Sequence, residues 1–199
     1  MTAAAAPPAP VADDGGGWTV EPASDAVLLR RHGVEVKRYP ARSLDGARSG
    51  RPAALHHLAA RRSFLLAFDG LAEWWELSLD PQAEPIFNGL VHDYRMAEAI
   101  AEPGYLGLRR TVLPEPLAAL AAGEGGFVLA RGADAPTGRA VLYLVQLDVR
   151  RAVARFELDA DPDVPAARAA QRDGRALLMV PDRRGGPEIV VDLRAGRLR

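Results

Sequence analysis

The stretch Ser63-Phe-Leu-Leu-Ala-Phe-Asp-Gly-Leu-Ala-Glu-Trp-Trp-Glu-Leu-Ser-Leu79 decides the fold class. Its first six residues are a strand-length apolar run, Asp69-Gly70 is a turn signal, and Glu73 to Leu79 is a second run of strand length. Neither run is long enough for an ordinary globular helix, and both are rich in aromatic or branched side chains. The pattern recurs along the chain. Ala26 to Arg31 and Val34 to Tyr39 flank His32-Gly33, a tight hairpin turn. Phe127 to Ala130, Ala140 to Leu147 and Val153 to Leu158 form a third group, and Ala176 to Val180 and Glu188 to Leu193 flank Arg183-Arg184-Gly185-Gly186. Several runs alternate faces, as in Val34-Glu35-Val36 and Arg155-Phe156-Glu157-Leu158.

The groups share a form. The second strand closes on an acid and then a basic or turn residue: Leu79-Asp80, Leu147-Asp148-Val149-Arg150 and Val191-Asp192-Leu193-Arg194. Asp there can accept from the backbone of the next turn. Equivalent strands lie roughly 40 to 60 residues apart, which suits propeller blades with loops of unequal length. Helix is the minor element. Arg95 to Ile100 and Leu117 to Ala122 have helix-forming composition, and Pro52 to Arg61 reads either as helix or as an inner strand. Pro81 to Pro116 is Pro- and Gly-punctuated and reads mostly as ordered loop. Residues 1–17 (MTAAAAPPAPVADDGGG) read as a disordered leader, with a propeller-like β domain over 18–199.

Composition narrows the function classes. The chain has 48% hydrophobic and 26% charged residues, an ordinary globular balance. A net charge of -1 gives no broad electrostatic case for nucleic acid. With no cysteine there are no disulfides, thiolate metal sites, cysteine nucleophiles or covalent heme attachment. No apolar run approaches the ~20 residues that span a bilayer. Walker, GxGxxG and GxSxG patterns are absent. Asp159-x-Asp161-x-Asp163 fails as a calcium loop, since Val164 replaces the required Gly and Ala170 the bidentate Glu, and reads as a solvated turn.

The runs Ser63 to Phe68, Glu73 to Pro81 and Gly89-Leu-Val-His-Asp-Tyr-Arg-Met96, followed by Ile100 to Gly104 and Arg109 to Leu117, resemble the cytochrome d1 heme-domain family, the propellers of cytochrome cd1 nitrite reductases and their relatives. Gln146 to Arg151 is similar to the end of the next blade. The resemblance implies a mainly β fold of about four blades, half of an eight-bladed heme d1-type propeller, in a truncated or diverged member. It implies heme d1 as cofactor, or none if the cofactor has been lost. It also implies a place in denitrification, and a periplasmic home, although this chain shows no signal peptide. His92 falls where the first distal histidine of the reductases lies and is the candidate catalytic and heme-facing group. The bland reading makes it a loop histidine bonded to backbone or Asp93.

Tyr94 and Arg95 are candidates for a propionate, or for a structural turn. Trp75, with Trp74, is a candidate stacking surface for a porphyrin, or core, and alternation would send one ring inward and the other outward. Asp163 stands where the second distal histidine belongs, and an acid cannot serve as an imidazolium donor there. The proximal-ligand blades are missing from the resemblance. The implied function is therefore tetrapyrrole binding or handling without nitrite turnover, and the alternative is a cofactor-free protein-interaction scaffold. His56 and His57 are adjacent, would face opposite sides of a strand and would not share a metal; His32 would be exposed. No metal site is expected. Two apolar blade faces without neighbours imply self-association or a partner that completes the propeller.

Overall fold

In a computed structural model, residues 7–87 and 101–199 are described. The described residues contain four four-stranded antiparallel sheets, three single 3-10 turns and no α-helix. Two compact units result, residues 1–111 and 112–199.

The first unit holds two meanders. Strands β1 (Val11–Ala12), β2 (Trp18–Pro22), β3 (Ala26–Arg31) and β4 (Val34–Pro40) pair in sequence order, followed by β5 (Arg51–Leu58), β6 (Ser63–Asp69), β7 (Glu73–Ser78) and β8 (Leu108–Val112), also in order. The hairpin at His32-Gly33 has φ of 49° and 81°, the double left-handed turn whose twist matches the flanking strands. Val20, Val27, Leu29, Phe64, Leu66, Phe68, Trp75 and Leu77 are fully buried and form one core between the two sheets. These residues alternate along β6 and β7, so period two decides which side chains enter that core.

The second unit holds β9 (Ala119–Ala122), β10 (Phe127–Arg131), β11 (Ala140–Gln146) and β12 (Arg151–Leu158), then β13 (Arg168–Arg172), β14 (Arg175–Val180), β15 (Ile189–Asp192) and β16 (Arg197–Leu198). Its core draws Leu129, Leu142 and Leu144 from one sheet and Leu178, Val180 and Val191 from the other.

Several expectations change. Leu117 to Ala122 is not helical: Ala119–Ala122 pairs with β10 as Leu120↔Ala130 and Ala121↔Leu129, and Leu117 and Leu120 are buried. Ladder hydrogen bonds and burial outweigh the helix propensity of alanine. Of Pro52 to Arg61, the part to Leu58 takes the strand alternative and Ala59–Arg61 forms a 3-10 turn; Pro52 sits at a bulge in β5, an edge strand, where its missing N–H breaks no ladder. Within the expected leader, Val11 and Ala12 pair with Val20 and Thr19. The long loop contains β8. Strands β2, β13 and β16 add to those expected. Strand β13 carries Arg-Ala-Ala-Gln-Arg, which has no apolar alternation, but Asp173-Gly174 closes its hairpin to β14 with φ of 51° and 70°. That Asp-Gly pair was the available signal.

The closing acids behave as expected at two ends. Asp80 Oδ1 accepts from Gln82 N–H at 3.1 Å and Asp192 Oδ1 from Ala195 N–H at 3.0 Å. At Asp148 the turn is held instead by its own N–H, which donates to Gln146 Oε1 at 2.6 Å.

Candidate functional site

His92, Tyr94 and Arg95 lie outside the described residues. The described residues that flank them in sequence are held together by hydrogen bonds. Ile86 and Glu102 exchange backbone hydrogen bonds of 2.8 and 2.9 Å, so residues 86 and 102 are brought side by side. Below that bridge, Leu106 N–H donates to Ser78 O at 3.0 Å, and Leu106 O accepts from Tyr39 Oη at 2.8 Å and Lys37 Nζ at 2.9 Å. Burial pushes the Tyr39 phenol above its ordinary range, so it stays protonated and able to donate. A side chain at Gly104 would put a Cβ 2.2 Å from Glu84 O, so only glycine allows the two backbones to approach so closely.

Trp75 lies differently from the expected stacking surface. Both Trp74 and Trp75 are fully buried, and neither ring points to solvent. The Trp75 ring meets Phe68 at 4.3 Å between centroids and carries the Arg110 guanidinium 4.5 Å over its centre. Its Nε1–H donates to Glu73 Oε2 at 3.3 Å. No ring face is left for a porphyrin.

Glu73 is the hub of that assembly, and reasoning from residue types missed it. Its Oε1 accepts from Leu44 N–H at 2.8 Å, and its Oε2 accepts from Arg110 Nη1 at 2.9 Å as well as from Trp75. Arg110 also donates to Arg42 O at 2.8 Å. A second buried carboxylate, Glu76, receives Arg61 through Nε at 2.7 Å and Nη2 at 3.1 Å, and Ser63 Oγ at 2.9 Å. Both carboxylates are matched by a guanidinium, which is the condition for burying them. They brace the sheet and present no free acid or base.

Asp163 is ion-paired with Arg183 at 2.9 Å, and that hydrogen bond holds its carboxyl below the usual carboxylate range. Its neighbours are paired too, Asp161 with Arg131 at 2.5 Å and Asp159 with Arg184 at 3.5 Å. The acidic run is thus an arginine-tied turn in which Asp159 remains 92% exposed. Among the described residues no three His, Asp or Glu side chains converge to hold a metal, and no helix is long and apolar enough to cross a membrane.

His56 and His57 pair with Leu65 and Phe64 and project to opposite faces of β5, as period two requires. His57 Nδ1 lies 3.3 Å from Asp14 Oδ1, beside a cleft of about 260 Å³ that Trp18 and Arg62 also line. Burial lowers the His56 pKa below 6.5. The folded state therefore favours neutral His56, so that part of the stability is present above pH 6.5 and is lost as pH falls through the lowered folded-state value. Urea denaturation at pH 7.5 and 5.5 is expected to show lower stability at the acid value, with a smaller difference in His56→Leu. An unchanged difference in the variant would place the effect elsewhere.

Consecutive four-stranded meanders, stacked through apolar faces within each unit, define a mainly β, propeller-like protein. No protein-family model matches the sequence, and no curated protein does. Among solved structures, dihydro-heme d1 dehydrogenase NirN in complex with DHE superposes with a TM-score of 0.69 over 96% of this chain, at 18% identity. Apo AztD from Citrobacter koseri superposes with a TM-score of 0.53 over 92%, at 13% identity. At these identities the likeness is one of fold. This chain spans 36% of the NirN chain and 43% of the AztD chain.

Proposed function

We propose that this is a heme d1-related propeller protein of denitrification that binds or handles a tetrapyrrole and does not itself reduce nitrite. The observation that carries the reading is the superposition of 96% of the chain on a propeller solved in complex with DHE. The sequence motif Gly89 to Met96 supports it. His92 would supply an imidazole to the tetrapyrrole, and Tyr94 and Arg95 donors to a carboxylate side chain. Trp75 drops out of this set because its ring is fully buried. The reading without nitrite turnover rests on the resemblance, in which Asp163 stands where a second distal histidine belongs; its carboxylate pairs with Arg183 and offers no imidazolium donor.

Titration with heme and with heme d1, followed by visible absorption, tests the proposal. A shifted Soret band that His92→Ala abolishes is the expected result. An unchanged spectrum in the parent protein would overturn it. It would favour the second reading, a cofactor-free interaction scaffold, for which the closed packing around Trp75 speaks.

A further inference from the structure

Most arginines that reach a carboxylate in this molecule use it. In the fourth sheet Arg168 pairs with Glu188 at 2.6 Å, and Arg199 Nε lies 3.3 Å from Asp192. Arg175, Arg194 and Arg197 behave otherwise. They line one concavity of about 370 Å³ together with Asp192 and Gly174, and among the described residues none of the three guanidinium groups has an ion pair or side-chain hydrogen bond.

The convergence is built by the backbone. The register places Leu177 opposite Asp192 and Asp192 opposite Arg197, so these three side chains share one face of β14, β15 and β16. Arg175 lies two residues before Leu177 and joins the same face. Arg194 stands in the turn between β15 and β16. That turn is fixed at two points: Ala195 N–H donates to Asp192 Oδ1 at 3.0 Å and Gly196 N–H to Asp192 O at 2.9 Å. The face carrying Leu178, Val180 and Val191 packs into the core of the second unit, so the arginines occupy the opposite face.

Charge gives the occupant's sign. Asp192 is 3% exposed, and its carboxylate is already engaged by Ala195 N–H and Arg199, so it leaves the three cations unneutralised. All three side chains are exposed, so water screens much of their mutual repulsion, and an anion in the hollow they line would relieve the remainder. Guanidinium groups present paired N–H donors that match the oxygens of phosphate and carboxylate.

We infer that this hollow is a binding site for a small, multiply charged oxyanion, a phosphate ester or a polycarboxylate. It lies outside the tetrapyrrole motif and does not depend on that reading. Isothermal titration at fixed ionic strength with pyrophosphate, with citrate and with chloride as the reference tests it. Saturable binding of pyrophosphate or citrate is expected, weakened by added NaCl, and the tighter of the two identifies the phosphoryl or the carboxylate source. Removing two guanidinium partners in Arg194→Gln/Arg197→Gln is expected to weaken it about tenfold or more. Arg175→Gln, at the hairpin end, should weaken it less than the double variant. Arg168→Gln, whose side chain is already paired, should leave it unchanged, as should His92→Ala. Binding no tighter than chloride, or equal binding by the parent and a double variant of unchanged circular dichroism, would refute the site.

Discussion

Trp75→Ala is expected to lower the free energy of unfolding by about 3–5 kcal/mol, the cost typical of deleting a fully buried large aromatic side chain. Three contacts go at once: the Phe68 ring at 4.3 Å, the Arg110 guanidinium over the indole, and the Nε1–H bond to Glu73. The neighbours belong to a core shared by two sheets, so the void cannot collapse without disturbing both. Trp75→Phe keeps most of the apolar contact and should lose much less. Urea denaturation measures both. A stacking surface kept open for a ligand would predict the reverse, near-parent stability for Trp75→Ala, and that outcome would reinstate Trp75 as a binding residue.

Glu73→Ala should be comparably damaging, at about 3–5 kcal/mol, because it removes one partner of a largely buried ion pair. The side chains of Glu73 and Arg110 are 10% and 16% exposed, so solvent compensates little. Leu44 N–H and Trp75 Nε1–H lose their acceptor in the same step. Replacing both charges, as in Glu73→Leu/Arg110→Met, should restore a good part of the loss, since an apolar pair leaves no buried cation behind. Thermal unfolding of the two single variants and the double variant separates the contributions. If Glu73→Ala unfolds like the parent, the carboxylate is a surface feature and the bracing described for it is wrong.

The candidate site was less legible than the strands. His92, Tyr94 and Arg95 were reached through a motif and fall outside the described residues. Glu73 and Arg110 stand 37 positions apart, and no local pattern announces that they meet. The same holds for Arg175, Arg194 and Arg197, ordinary members of an arginine-rich chain until a turn and two ladders bring them to one hollow.

Strand identity and hairpin connection were settled by the residues alone at Ala26 to Tyr39 and Ser63 to Leu79. Alternation and turn chemistry are local, fixed by sterics within a few residues. Tertiary structure decided the fate of Leu117 to Ala122, whose composition favours helix and whose neighbour β10 makes it a strand. It also decided that both Trp74 and Trp75 are buried, because burial depends on what other chain segments cover a sheet and a period of two reports only which side a residue leaves.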